Sequence, residues 1–168
     1  MSSGETIEIT LTDPQAAILN SNADRNLLMM GQGGGKTNTM GNLSYLLSQN
    51  VPDVMGLIAA NTYRQLTNST LKEIFKQWAS LGFTKYTEAN PSGSYVIDRT
   101  PPKTFTPHKY IFRDNDSKIY CKNGAVIVVA SLDNYMALEG MELGWALLDE
   151  TEATKEEAVT EVITARLR

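Results

Sequence analysis

The sequence predicts an α/β fold, a mostly parallel sheet with helices on both faces and one inserted β-hairpin. Three observations predict it. Nearly all-apolar runs of strand length alternate with amphipathic segments of helical length. A glycine-rich turn ending in Lys36-Thr37 stands between one such run and one such segment, and Asn123-Gly124 separates two further strand-like runs. Strands covered on both faces read as continuous apolar stretches, the pattern of a parallel sheet under helices.

The elements follow in chain order. Thr12-Asp13-Pro14-Gln15 reads as a helix start, with Asp13 as N-cap and Pro14 at the first helical position. Asn26-Leu27-Leu28-Met29 reads as a strand that runs into the glycine turn. Beyond the turn, Met40, Leu43, Leu46 and Leu47 recur at helical spacing, and residues 54–60 form an apolar run of strand length. Between residues 66 and 81, Leu71, Ile74, Phe75 and Trp78 predict an amphipathic helix with Lys72 and Lys76 on a different face. Pro91, Pro101, Pro102 and Pro107 make residues 87–109 a loop or small excursion outside the core. Residues 118–121 and 125–131 flank Asn123-Gly124, a strong hairpin signal. Residues 144–150 predict a buried strand that delivers Asp149 and Glu150 to its carboxyl end. Thr154 to Glu157 then fits a capping box, opening a last helix toward Arg166.

At 168 residues and 42% hydrophobic, the chain has the size of one domain with a substantial core. No run approaches the roughly 18 apolar residues of a membrane helix, and the start lacks the blocks of a signal peptide, so a soluble intracellular protein is expected. Cys121 is the single cysteine, which excludes an internal disulfide, and with His108 as the single histidine a zinc site has no support. The formal charge of −4 is uneven: residues 1–60 carry −3, residues 61–125 carry +5 and residues 126–168 carry −6. The basic middle third, with Lys72, Lys76, Lys103 and Lys109 among ten aromatic residues, suits a nucleic-acid backbone. It reads equally well as solvated lysines around core aromatics.

Glycines at the turn let the backbone adopt φ > 0 and turn successive N–H groups toward a polyphosphate, while the helix starting near Lys36 points its positive end at the same anion. The pattern is that of a P-loop, G-x-x-x-x-G-K-[ST], save that Met30 stands where the first glycine belongs. Gly31, Gln32, Gly33, Gly34, Gly35, Lys36 and Thr37 are therefore the candidate phosphate-binding residues. Lys36 would reach the β- and γ-phosphates, and Thr37 with Asp149 would hold Mg²⁺. Glu150 is the candidate general base, with Lys36 the other catalytic candidate. A Gln15 amide can donate to one adenine nitrogen and accept from the exocyclic amine, which would select ATP.

These residues resemble a family, the large terminase subunit of tailed bacteriophages, in its N-terminal ATPase domain. The resemblance covers most of the chain. It is carried by Leu11-Thr12-x-x-Gln15, Gly31 to Thr37, an Arg64-containing segment, Asn123-Gly124-Ala125-Val126-Ile127 through Ser131-Leu132-Asp133, the Gly140 turn, Leu147-Leu148-Asp149-Glu150 and Arg166-Leu167-Arg168. It implies a P-loop NTPase of the additional-strand class with ATP and Mg²⁺ as cofactors. It further implies ATP-driven packaging of double-stranded DNA into proheads by a ring of subunits, a pentamer in the family, that works with a portal protein and a small terminase subunit in the host cytoplasm, with no membrane. Residues 1–168 would then be an ATPase domain that stops before the family's sensor strand and nuclease domain. Gln32 stands where the family often has arginine, and no basic residue stands at the usual finger position, so Arg64, Arg99 and Arg113 are candidates only as basic residues near loops. A helicase-like nucleic-acid-dependent ATPase and a nucleotide-binding assembly module with little hydrolysis are the alternative readings.

Overall fold

The computed structural model describes residues 9–30, 33–110 and 117–167. Gly31, Gln32, Arg113 and Arg168 lie outside the described residues.

The first helix, α1 (Asp13–Leu19), carries Pro14 in its first turn, but its N-cap is Thr12 and not Asp13. Thr12 wins because its backbone N–H finds an acceptor in the Gln15 side chain, closing a capping box. Helix α2 (Lys36–Asn50) follows the glycine turn, and strand β1 (Met55–Ala60) is buried along its whole length. Residues 63–80 form one helical stretch, in which α3 (Tyr63–Gln65) passes through a π-helical turn (Leu66–Thr70) into α4 (Leu71–Ser80). Strands β2 (Tyr95–Ile97), β3 (Lys118–Cys121), β4 (Val126–Ser131) and β5 (Trp145–Asp149) complete the sheet. A 3₁₀ stretch (Leu132–Leu138) follows β4. After β5 the chain is helical over residues 156–166, with a π-helical middle (Ala158–Ile163) before α5 (Thr164–Arg166).

The sheet order is β2-β3-β4-β1-β5. The three strands β4, β1 and β5 are parallel, and the β3–β4 hairpin and β2 extend the sheet antiparallel. Gly124 closes the hairpin at φ 100°, which is why the Asn-Gly signal was legible. Helices cover both faces. On one, Met40, Ile74 and Trp78 pack on Ile58, Ala60, Ile127 and Val129; on the other, Leu132, Leu138 and Ile163 pack on Leu57, Ala59 and Val128. Gly56 is required beside β5, because a Cβ there would lie 2.0 Å from the Trp145 ring.

Three further expectations fail. Asn26 to Met29 is not a strand, and Leu27 and Met29 are 77% and 82% exposed. A run of four residues forms a strand only where a neighbour supplies ladder partners, and among the described residues none lies beside it. Residues 87–109 are not wholly outside the core, for β2 pairs with β3 and Tyr95 and Val96 are buried. Tyr95 is drawn in by aromatic packing, stacked on Phe75 and Phe83 and edge-on to Trp78. Thr154 likewise does not serve as the anticipated cap; its hydroxyl donates to Asn61 Oδ1 at 3.4 Å.

Candidate functional site

Register places three strand ends in one row, since Ala60 of β1 faces both Ser131 of β4 and Asp149 of β5. This carboxyl edge is where ligands of parallel sheets bind. Helix α2 ends at Asn50, just before β1 begins, and packs against β1 and β5. Its 15 residues span about 22 Å at 1.5 Å each, and the 6 residues of β1 span about 20 Å. The helix therefore runs back along the sheet and starts at the edge where Asp149 ends β5. Lys36 and Thr37, in its first turn, stand at the same end of the sheet as the acid pair.

The turn before α2 is built for a backbone without side chains. Gly33 and Gly35 have φ of 78° and 83°, and Gly35 forms the left-handed N-cap. A Cβ on Gly35 would lie 2.7 Å from Gln15 Nε2. The Gly35 carbonyl accepts from Thr39 N–H at 2.9 Å, from Thr39 Oγ1 at 3.0 Å and from Gln15 Nε2 at 3.2 Å. Gln15 is buried, and its Oε1 accepts from Thr12 N–H at 2.9 Å. The candidate adenine reader thus also ties α1 to the glycine turn, with one amide hydrogen and one lone pair uncommitted to these two bonds.

Asp149 is 8% exposed and its Oδ2 accepts from Thr70 Oγ1 at 2.7 Å, an interaction buried from solvent. Glu150 leaves the strand in the left-handed region, φ 47° and ψ 55°, and its exposed carboxylate accepts from the Gln65 side-chain amide. Gln65 and Thr70 were not singled out from the sequence. No sequence signal marked them: Leu66 and Leu71, five residues apart, both enter the core only because the turn between them is π-helical. Asn61, directly after β1, accepts from Asp133 N–H at 3.1 Å and so joins the β1 and β4 ends of the edge.

The remaining candidates scatter. Arg64 is exposed in α3 on the site side of β1, whereas Arg99 is exposed beyond β2. Lys72, Lys76, Lys103 and Lys109 are exposed; Lys76 sits 3.7 Å from Glu73, and Lys109 lies over the Tyr110 ring. Among the described residues no cluster of three or more His, Cys, Asp or Glu could hold a metal ion, and no helix is long and apolar enough to cross a membrane. The available donor set at the edge is a hydroxyl and a carboxylate, oxygen ligands that fit Mg²⁺ completed by water and phosphate. Cys121 and Tyr95 are both pushed up to about 12 by burial, which removes them from acid–base chemistry near neutrality.

No protein-family model matches the chain, and no curated protein matches it in sequence. Among solved structures, the large terminase ATPase domain of Thermus phage P74-26 superimposes with a TM-score of 0.61 at 17% identity, as does a mutant of the same domain. This chain has the fold of a phage large-terminase ATPase domain. The match covers 94% of this chain and 60% of the other, so the chain aligns with less than two thirds of the length of that relative.

Proposed function

We propose that this chain is the ATP-hydrolysing part of a terminase-type motor that drives double-stranded DNA into a phage prohead. What supports the reading is that the α2 start, with Lys36 and Thr37, and the Asp149-Glu150 pair lie toward the same end of the sheet. The terminase-like fold supports it.

In this reading the backbone N–H groups of the glycine turn and the Lys36 ammonium hold the triphosphate, and Gln15 stands where it can read the base. Thr37 and Asp149 would hold Mg²⁺, which neutralises phosphate charge when bound. Glu150 accepts a proton from the attacking water and orients that water in line with the leaving oxygen. A neighbouring subunit in a ring would supply the cation that faces the γ-phosphate, and DNA would follow the basic middle segment.

The test is steady-state ATP hydrolysis by the complete protein with proheads and DNA, wild type against Glu150→Ala. Loss of turnover with DNA packaging supports the reading, and unchanged turnover rejects Glu150 as base. A second reading, a nucleotide-binding assembly module with little hydrolysis, is favoured by the Gln65 amide already engaging Glu150. Tight ATP binding with no stimulation by DNA or capsid components would decide for it.

A further inference from the structure

The helical stretch after β1 does more than cover the sheet. An α-helix sets residues five apart about 140° from each other at 3.6 residues per turn, so they face different ways. Between Leu66 and Thr70 the helix is π-helical, and Leu71 N–H bonds Leu66 O five residues back. The wider turn brings Gln65 and Thr70, five apart, toward the same side, and each bonds one acid of the adjacent pair: Gln65 to Glu150 and Thr70 to Asp149. A mid-helix threonine ordinarily returns its hydroxyl to the carbonyl four residues back, as Thr67 does to Tyr63. Thr70, fully buried, donates instead across 79 residues of sequence to a carboxylate.

The direction of this stretch is itself fixed by a polar seam between α4 and α2. Asn38 donates to Gln77, Gln77 Nε2 donates to Asn42 Oδ1 at 2.8 Å, and Asn42 Nδ2 donates to Asn38 Oδ1 at 3.4 Å. Beside that ring, Trp78 Nε1 donates to Gly41 O at 3.0 Å. Such a ring is satisfied in one register only. The helix that begins at Lys36 therefore sets the register of the helix that carries Thr70.

We infer that Thr70 is a positioning residue for Asp149, with the π-helical turn as the device that presents it. With Oδ2 held by the Thr70 hydroxyl, the carboxylate is fixed in rotation and Oδ1 is the oxygen left for a divalent cation. The inference rests on the reading of Asp149 as the metal carboxylate. Partners that orient a metal-binding carboxylate are worth about 10–100-fold in metal affinity.

The experiment measures Mn²⁺ binding by electron paramagnetic resonance with a non-hydrolysable ATP analogue, alongside analogue binding in EDTA. Thr70→Val is expected to raise the apparent Mn²⁺ dissociation constant about tenfold or more, to leave metal-free analogue binding unchanged, and to be rescued by Thr70→Ser. Mn²⁺ binding within twofold of wild type in folded Thr70→Val, or a serine variant as impaired as the valine one, overturns the inference. Should the valine variant fail to fold, Thr70→Cys keeps the shape with a weaker donor; raised dissociation supports the inference and wild-type binding refutes it. Wild-type protein that binds no metal–nucleotide complex at all would instead defeat the functional reading and this inference with it, so the two failures are told apart by the wild-type arm.

Discussion

Gln15 Nε2 donates to the carbonyl of Gly35 at 3.2 Å across 20 residues of sequence, so the first helix holds the residue that caps the helix beginning at Lys36. The same side chain closes the Thr12 capping box. Gln15→Ala removes both. Each such bond is worth about 0.5–1.5 kcal/mol, so a loss of about 1–3 kcal/mol in urea denaturation is expected, accompanied by weaker binding of ATP. A loss below about 0.5 kcal/mol would show that the link is incidental.

For Glu150, the proposed general base, backbone strain and the proposed chemistry pull in opposite directions. A non-glycine residue in the left-handed region costs roughly 1–2 kcal/mol, and its carboxylate is exposed, so little packing offsets the strain. Glu150→Gly is expected to melt no lower than wild type while ATP hydrolysis falls by about 10²–10⁴-fold. Calorimetry and a steady-state assay on the same preparation check both halves; a clearly lower melting temperature would mean that the Gln65 contact outweighs the strain.

The parts of this site legible in the sequence are those whose backbone demands particular residues. Glycines at φ > 0 in the turn before Lys36 and at Gly124 in the hairpin announce themselves, as does an apolar strand ending in Asp149. What stayed hidden depends on neighbours distant in sequence. Tyr95 is core because Phe75, Trp78 and Phe83 surround it, despite the prolines on either side of its strand. The buried face of α2 is Thr39, Met40, Gly41, Asn42, Ser44 and Ser48, with its leucines only half-buried, because its partner α4 sets the Gln77 amide and the Trp78 indole N–H against it, and these bond Asn42 and Ser44. Leu27 and Met29 look like strand residues but join no ladder among the described residues, and Thr70 looks like an ordinary helix residue until the extra residue of the π turn is counted.

The seam between α2 and α4 reverses a general rule. Alanine in place of a helix-interior glycine normally gains about 0.8–1 kcal/mol. At Gly41 a Cβ would lie 2.8 Å from Gln77 Cβ and 3.6 Å from Ile74 Cα, a clash with the base of a side chain and not with its flexible end. Gly41→Ala is therefore expected to destabilise by about 1–3 kcal/mol, the usual result of overpacking. It should also disturb the amide ring at Asn42, which is fully buried. A variant as stable as wild type would mean that the two helices can separate without cost.

His108 links the hairpin to pH. Its Nε2 lies 2.9 Å from Cys121 O, which can only accept a hydrogen bond, so the neutral ring carries its hydrogen on Nε2; the ring also stands edge-on to Tyr120 at 5.0 Å. Burial lowers its pKa from the ordinary 6.5, opposed by that hydrogen bond. A depressed folded-state value means that the unfolded chain takes up the proton first as pH falls. Stability from this group is then complete above about pH 6.5 and declines from there toward the folded pKa. His108→Gln keeps an N–H donor and cannot titrate, so its unfolding free energy should fall less than that of wild type between pH 7.5 and 5, by up to about 1.4 kcal/mol per pH unit where the two states differ by a full proton. Parallel slopes for the two proteins in urea denaturation across that range would show that His108 titrates alike in both states, and that its bond to Cys121 O persists in the imidazolium.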